Sequence, residues 1–328
     1  MWSVRLVCGS GLLEVGEAVV SRVSFLWAEI TGRCSHQCVH CYAGSSPAGS
    51  DGSMTEGDWR RVIDDAAALG AEMVQFIGGE PTMHPGLPTF IDHALGRGLA
   101  VEVFSHLAHV TPALWEVFSR PGVSLATSYY SDDPVQHEAI TRRRGSHADT
   151  RANIAEAVRR GIPLRAGVID LGGGQHADQA RTELVDLGVP SVGYDRLRQV
   201  GRGVRDQQAS LEQLCGRCGD GVAAISPDGA VWPCVFSRWL PIGNVLEAEL
   251  AEILSGPEAA RVQAELAGAF AARTAVAKCE PKCAPTPGNP CYPDCGPSCQ
   301  PNCSPRCSST CNPTTCSPNS CWPKYKGR

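Results

Sequence analysis

Three cysteines, Cys34, Cys38 and Cys41, stand within eight residues of one another near the N-terminus. They follow the apolar run 25–30, which Gly32 and Arg33 interrupt, so we expect them in a loop at the end of a strand. Ligand sites of α/β proteins collect at such strand ends. A [4Fe–4S] cluster normally takes four thiolates, one for each iron. Three thiolates would leave one iron with an open coordination position, which is where metal chemistry happens.

Zinc or a redox dithiol is the other interpretation of this loop. Zinc sites prefer Cys-x-x-Cys pairs with a fourth ligand nearby, and His36 or His40 could supply that ligand. The spacing of the three cysteines alone leaves this alternative open.

A second group of thiols is predicted around a hairpin. Cys215 and Cys218 form a Cys-x-x-Cys pair, and Cys234 follows two short strand-like runs, 222–226 and 230–234. Between those runs stands Pro227-Asp228-Gly229, a sequence typical of a turn. The hairpin brings Cys234 back toward the Cys-x-x-Cys pair, and this geometry predicts a metal site.

Alternating strands and helices must position these residues. Between residues 25 and 194 we predict strands at 25–30, 73–77, 100–104, 123–127, 164–169 and 189–193, and helices at 55–69, 87–96, 112–119, 150–160 and 176–187. Thr55 and Asp58 have the spacing of a capping box at the first helix. The order implies a parallel sheet with right-handed crossovers. About 170 residues are too few for a full eight-stranded barrel but suit a six-stranded partial one.

Cys-x-x-x-Cys-x-x-Cys, with His40 before the last cysteine and Tyr42 after it, resembles the signature of the radical SAM superfamily. The sequence Gly78-Gly79-Glu80-Pro81, at the end of the second predicted strand, resembles that family's motif for the methionine amino group of S-adenosylmethionine. The resemblance implies that the cofactor chelates the open iron and is reductively cleaved to a 5′-deoxyadenosyl radical, which abstracts hydrogen from a substrate. It also implies cofactor contacts from Ser105 and Ser128, although both could be ordinary strand-end hydroxyls.

Basic residues supply two further candidates. Arg142-Arg143-Arg144 is either a solvated loop or a contact to carboxylates of the cofactor or of an acidic substrate. Arg165, at the start of the fifth strand, either points into the barrel or forms a buried ion pair.

The second thiol group resembles the SPASM or twitch extension of radical SAM enzymes, which binds auxiliary iron–sulfur clusters. Cys218, ten residues, Gly229, four residues and Cys234 fit its pattern. The resemblance covers about residues 25–255. The tail departs from the full pattern, because three residues separate Cys279 from Cys283 and the next gap is seven. Either a few tail cysteines, such as Cys279 and Cys283, complete the auxiliary clusters, or the tail is a thiol-rich segment that loads metal.

Composition excludes several classes of protein. The net charge of −5 and the 19% of charged residues give no basic surface for nucleic acid. No apolar stretch is long enough to span a membrane, and no secretory signal is recognisable. Of the 17 cysteines, ten lie in residues 279–328, where Cys-x-Pro-x repeats. We expect a cytoplasmic protein, in which clustered cysteines indicate metal or redox sites.

The expected architecture is α/β: a partial (β/α)6 TIM-like barrel with a small Cys-rich C-terminal auxiliary-cluster domain. We predict an N-terminal hairpin or cap (1–24), the barrel (25–194), a bridge with the SPASM/twitch-like region (195–256), a helix (257–278) and a Cys/Pro-rich tail (279–328).

The resemblance implies a radical SAM enzyme that matures a ribosomally synthesised peptide or protein by a crosslink, a thioether, epimerisation or oxidation. Implied partners are the substrate, a possible separate leader-peptide-binding protein, and a flavodoxin or ferredoxin as electron donor. The alternatives are a radical SAM enzyme acting on a small molecule and a non-enzymatic Cys-rich metal-binding protein, although the three cysteines together with Gly78–Pro81 argue against the last.

Overall fold

One sheet runs through the computed structural model, which describes residues 23–276, with side chains described as far as Ala272. In this part of the chain the sheet has nine strands in the order β6-β5-β4-β3-β2-β1-β7-β8-β9. The strands are β1 Phe25–Thr31, β2 Met73–Gly78, β3 Ala100–Phe104, β4 Val123–Tyr129, β5 Leu164–Asp170, β6 Ser191–Arg196, β7 Val222–Ile225, β8 Ala230–Trp232 and β9 Gly243–Asn244. Strands β1 to β6 pair only in parallel, which confirms the predicted α/β fold with a partial barrel.

Eight α-helices accompany these strands within residues 23–276. They are α1 Glu56–Ala68, α2 Leu87–Gly96, α3 Pro112–Phe118, α4 Pro134–Thr141, α5 Ser146–Arg159, α6 Ala177–Asp186, α7 Leu250–Ser255 and α8 Pro257–Val276. Residues 23–272 belong to one compact unit. No helix of the described chain is both long and apolar enough to cross a membrane.

The core forms because strand and helix periodicities place apolar side chains on one face. Every second residue of β1, namely Leu26, Ala28 and Ile30, is fully buried. On α1, the buried positions recur three and four residues apart, at Trp59, Val62, Ile63 and Ala66. Burial of each large side chain contributes about 1.5–3 kcal/mol. The opposite face of β1 is left to point into the barrel, and it carries Glu29.

The predicted capping box at α1 is confirmed. The Thr55 hydroxyl accepts a hydrogen bond from the Asp58 N–H at 3.2 Å, and the Asp58 carboxylate accepts one from the Thr55 N–H at 3.0 Å. These bonds satisfy two N–H groups that the first turn of a helix leaves unpaired, which fixes where α1 begins after the long loop that follows β1.

Most element ends agree with the sequence prediction to within two residues, and the main differences concern three elements. Helix α4 was not predicted; it is short, and Pro134 stands at its first turn with Asp133 as the cap. Helix α5 begins at Ser146 rather than at 150, because Gly145 adopts the left-handed conformation (φ 81°) directly before it. Strand β6 begins at Ser191, two residues later than predicted.

The predicted hairpin is present, but it does not stand apart from the barrel. The Ser226 N–H bonds to the Ala230 carbonyl at 2.9 Å across the turn, and β7 and β8 are antiparallel. Strand β7 also pairs in parallel with β1, in the register Phe25–Val222 to Ala28–Ile225. The sequence analysis did not anticipate this pairing, which makes the Cys218–Cys234 region an extension of the barrel sheet.

The predicted N-terminal hairpin and the Cys/Pro-rich tail lie almost wholly outside the described residues, as do Cys279 and Cys283. The domain boundaries proposed from the sequence therefore stay a prediction.

Candidate functional site

The Cys34–Cys41 loop follows β1 directly and is held by two other segments. The Cys34 N–H bonds to the Ser46 carbonyl at 3.0 Å, which closes the loop on itself. The N–H groups of Gln37 and Val39 bond to the last two carbonyls of α4, at 3.1 and 3.0 Å. The helix that the sequence analysis missed therefore fixes the middle of the predicted cluster loop. Cys34 is buried, and Cys38 and Cys41 are half-buried.

Arg202 clamps the second half of the same loop. Its guanidinium donates to the carbonyls of Cys38 at 2.9 Å and Ser45 at 2.6 Å, and its N–H bonds to the Cys41 carbonyl at 3.0 Å. Arg202 belongs to the bridge at the start of the predicted 195–256 region, and the sequence analysis predicted no specific role for it. The bridge therefore positions the cysteine loop as well as connecting two regions.

Gly78 and Gly79 are required by a close backbone approach. The Gly79 N–H bonds to the Thr31 carbonyl, and the Glu80 N–H bonds to the Arg33 carbonyl, both at 2.7 Å. A Cβ on Gly79 would lie 2.1 Å from the Arg33 carbonyl oxygen, and Gly78 has a φ of 132°. The glycines thus dock this segment, which ends in the buried Pro81, against the chain that leads into the cysteine loop.

Glu80 is buried between two backbone donors. Its carboxylate accepts hydrogen bonds from the Thr82 N–H at 3.1 Å and the His106 N–H at 2.9 Å. The His106 ring lies 3.2 Å from the same carboxylate and 3.0 Å from the Ser35 hydroxyl of the cysteine loop. Glu80 is therefore oriented at the strand ends with its charge beside the loop. His106 was missed by the sequence analysis, and its only signal was its position just after the third predicted strand.

Three imidazoles around the loop are held neutral. The rings of His36 and His106 stack at 3.8 Å, and His40 packs edge-on against Tyr130. Burial, reinforced by nearby positive charges, lowers the pKa of His36 to about 2 and that of His40 to about 4. Burial also lowers the pKa of His106. These rings line the loop without adding charge to it.

The remaining sequence candidates divide into two groups. Ser105 is buried and its hydroxyl accepts the Leu107 N–H at 3.0 Å, and Ser128 hydrogen-bonds the buried Tyr130 phenol. The charge of Arg143 lowers the pKa of His36 and of His106, so Arg143 faces the cysteine loop. Arg165 forms a two-point ion pair with Glu102, at 2.8 and 2.7 Å; Glu102 is buried but Arg165 is exposed, so this is not the buried ion pair given as its alternative from the sequence.

The residues around the loop fit an iron–sulfur cluster and a polar ligand. The donor set is three free thiols, the ligand type that iron–sulfur clusters use. Within residues 23–272, no three Cys, His, Asp or Glu side chains are close enough to share one metal ion. Thiolates of a cluster bind different irons, so they stand farther apart than the ligands of a single zinc. Buried polar atoms at this loop also lack a partner in the described structure, namely those of His36, His40 and Ser45.

Burial affects the thiols of this loop as it does the imidazoles. Burial and then the Glu80 charge raise the pKa of Cys34, and burial and then Cys41 raise the pKa of Cys38 to about 12. Without a metal these thiols stay protonated. Metal binding would remove the protons, because a coordinated thiol is deprotonated.

The second thiol group is brought together across the hairpin. The sulfur atoms of Cys218 and Cys234 lie 3.0 Å apart, and Cys218 also hydrogen-bonds Cys215. These contacts raise the pKa of Cys218, lower that of Cys234, and lower that of Cys215 to about 5. Cys215 is exposed, whereas the other two are buried. The three thiols are candidate ligands of one iron–sulfur cluster, in which each would bind a different iron, and the structure does not describe a fourth ligand there.

Known proteins share both regions. Residues 28–187 match the model of the radical SAM superfamily, and residues 215–284 match that of SPASM, an iron–sulfur cluster-binding domain. The chain is similar to PqqA peptide cyclases of Ruegeria pomeroyi (31% identity, covering 48% of this chain and 42% of the relative) and of Xanthomonas campestris (26%, 70% and 68%). It thus spans less than half of the first relative.

The fold resembles that of Streptococcus suis SuiB, in a structure bound to precursor peptide SuiA. The TM-score is 0.60 at 13% identity, covering 72% of this chain and 65% of SuiB. At this identity the likeness concerns the fold. The two matched domains agree with the cysteine loop and with the docked Gly78–Pro81 segment. The chain has a SPASM iron–sulfur cluster-binding domain after the barrel, and it belongs to the radical SAM superfamily, whose members use a [4Fe–4S] cluster and S-adenosylmethionine.

Proposed function

We propose that the protein cleaves S-adenosylmethionine reductively and uses the resulting radical to modify a ribosomally synthesised peptide. The observation that carries this proposal is the cysteine loop at the end of β1 with the Gly78–Pro81 segment docked onto it. The relatives named as PqqA peptide cyclases and the SuiB structure with its precursor peptide support a peptide as the substrate class.

In this proposal Cys34, Cys38 and Cys41 hold the cluster, and Glu80 orients the cofactor. The bound cluster and cofactor supply a strongly oxidising carbon radical that removes hydrogen from the substrate. The N–H groups of Thr82 and His106 fix the orientation of the Glu80 carboxylate. In this orientation the carboxylate would accept a hydrogen bond from the cofactor ammonium. Further cofactor contacts fall to Ser105 and Ser128.

Arg143 is the best-placed cation for a carboxylate. Its Nε atom is buried without a hydrogen-bond partner among the described residues, and its charge acts on both stacked imidazoles. A guanidinium matches the geometry of a carboxylate with two parallel hydrogen bonds. We assign it to the carboxylate of the cofactor or of an acidic substrate, which is one of the two interpretations that the sequence left open.

The auxiliary centre is assigned to Cys215, Cys218 and Cys234, with Cys279 or Cys283 as a further ligand. A flavodoxin or ferredoxin would supply electrons, and a separate protein would bind the leader of the precursor peptide. A reducing cytoplasm suits all of these parts.

The test uses full-length protein reconstituted without oxygen, with dithionite, S-adenosylmethionine and a synthetic peptide encoded beside the gene. We expect 5′-deoxyadenosine together with a change in the peptide mass, and neither from a Cys34/Cys38/Cys41 triple Ala variant. Cofactor cleavage that leaves every neighbouring peptide unchanged but consumes a small molecule would favour the small-molecule alternative.

A further inference from the structure

A partly buried ion pair joins strand β1 to the chain that follows Cys234. Glu29 of β1 is almost fully buried, and both of its oxygens accept hydrogen bonds from Arg238, at 2.8 and 2.6 Å. The Arg238 guanidinium also lies over the Trp232 ring, 4.3 Å from its centroid. Arg238 is thereby fixed by a charge on the barrel and by a ring on the hairpin.

Tyr42 joins this ion pair to the first thiol group. It directly follows Cys41, and its ring contacts that of Phe236 with centroids 5.1 Å apart. Its buried hydroxyl interacts with the Glu29 carboxylate, and burial together with the Glu29 charge raises the pKa of the Tyr42 phenol, which therefore stays protonated. Tyr42 and Phe236 pack on a small apolar cluster of Ala224, Trp232 and Val235.

The second thiol group is joined to the pair through a tight turn. The Ser237 hydroxyl accepts the Cys234 N–H at 3.0 Å and donates to the Cys234 carbonyl at 3.0 Å, and Arg238 is the next residue. A displacement of Arg238 would therefore move the backbone that carries Cys234.

The strand register shows why such a link matters. Cys34 follows the carboxyl end of β1, whereas Val222 pairs with Phe25 at the opposite end, four residues after Cys218. The two thiol groups thus lie toward opposite ends of one strand. The ion pair and the Tyr42–Phe236 contact link the two groups, because Tyr42 follows Cys41 directly, and Phe236 and Arg238 follow Cys234 within four residues.

We propose that Glu29 and Arg238 are positioning residues that couple the two cluster sites, holding the Cys234 turn against Tyr42 and acting on both sites by charge. This inference rests on the proposed function, because it requires a cluster at each site.

A purely stabilising role explains this pair less well. Replacing a buried ion pair by apolar side chains of similar volume is often neutral or stabilising, so stability alone is a weak reason for one. A charge near an iron–sulfur cluster, in contrast, changes its reduction potential, because burial weakens screening by solvent. Glu29 and Arg238 balance each other, so loss of one leaves a net charge beside both sites.

The experiment measures the reduction potential of each cluster in the reconstituted full-length protein, and EPR follows the signal of each cluster during the titration. Addition of S-adenosylmethionine identifies the signal of the cluster that binds it. In Glu29→Gln the Arg238 charge is uncompensated, so both potentials should shift upward. The double variant Glu29→Gln/Arg238→Gln should return both toward the wild-type values. Glu56→Gln is the matched control, because Glu56 pairs with Arg60 on the exposed face of α1, and it should shift neither.

A shift of one cluster alone, or of neither, would overturn the coupling. If Glu29→Gln fails to fold, Phe236→Leu provides a second test, because it removes the ring against Tyr42 without touching a charge or a thiol. It should change the EPR line shape of both clusters, and a change in one signal only contradicts the inference. A wild-type protein with about four irons and one signal would instead contradict the auxiliary cluster of the proposed function.

Discussion

The two thiol groups are held in different ways. Cys34, Cys38 and Cys41 come from one loop, and that loop is fixed from outside by α4, Arg202 and the Gly78–Pro81 segment. Cys215, Cys218 and Cys234 come from two segments on either side of a hairpin. They contact one another directly, and Cys215 is exposed.

This difference indicates which site is preformed. In the first site, the backbone of one loop sets the positions of the three thiols, so it keeps them apart without a metal. In the second, the thiols come from both sides of a hairpin, and the sulfur atoms of Cys218 and Cys234 lie 3.0 Å apart. We infer that the first site exists before cluster assembly, whereas metal binding opens the second and completes it with a ligand from beyond the described residues.

The largest expected effect separates the two sites by function. A Cys34/Cys38/Cys41 triple Ala variant should lose all formation of 5′-deoxyadenosine from S-adenosylmethionine and dithionite, because the cofactor would have no iron to chelate. A Cys215/Cys218/Cys234 triple Ala variant should still cleave the cofactor but should not yield modified peptide. Chromatography of the nucleoside products and mass spectrometry of the peptide measure the two outcomes. Equal cleavage by wild type and the first variant would show that the loop holds no catalytic cluster.

The next effect concerns metal content. The first triple variant should keep about four irons as one [4Fe–4S] cluster, visible by Mössbauer spectroscopy. Deleting residues 279–328 from it should lower this occupancy, because the second site needs a ligand that the hairpin does not supply. Cys279→Ala/Cys283→Ala tests those two tail cysteines separately. Zinc in place of iron, or full occupancy without the tail, would contradict the assignment.

A smaller effect is expected at Glu80. Glu80→Gln removes the charge that would receive the cofactor ammonium, and a charge-assisted hydrogen bond contributes about 1.5–3 kcal/mol. The affinity for S-adenosylmethionine should therefore fall about ten- to one-hundredfold, with the iron content unchanged. Equilibrium binding to the reconstituted protein measures this, with Glu56→Gln as the exposed control. An unchanged affinity would mean that the Gly78–Pro81 segment serves only to dock β2 onto the cysteine loop.

The sequence predicted much of the first site because its parts are local. Strand β1, the three cysteines and Gly78–Pro81 each carry a short-range pattern, and their positions at strand ends follow from the parallel order. His106, Arg202 and α4 were missed because their roles depend on packing between distant segments. Arg202, for example, contacts Cys38 across 164 residues of chain. At the second site the turn at Pro227–Gly229 was predictable, but the pairing of β7 with β1 was not, since short strands carry no signal for their partner.

The smallest effect uses pH to distinguish the two sites. His137 of α4 is fully buried, its Nδ1 atom lacks a partner within the described structure, and burial followed by the His147 charge lowers its pKa to about 4. Above pH 6.5 the ring is neutral in both the folded and unfolded states. As the pH falls below 6.5, the unfolded chain gains a proton that the folded chain accepts only near pH 4, so the free energy of unfolding decreases.

Between pH 6.5 and pH 5 the His137 contribution should amount to about 1.5 kcal/mol. Urea unfolding of metal-free wild type and His137→Gln at both pH values measures it, with His176→Gln reporting the cost of replacing a half-exposed imidazole. Because the last carbonyls of α4 hold Gln37 and Val39, acid should also loosen the first site before the second. Once the slower intrinsic exchange at lower pH is corrected for, the protection factors of the Gln37 and Val39 N–H groups should therefore fall between pH 6.5 and 5, while those in β7 and β8 do not. Parallel changes in both regions would mean that α4 does not set the acid sensitivity of the cysteine loop.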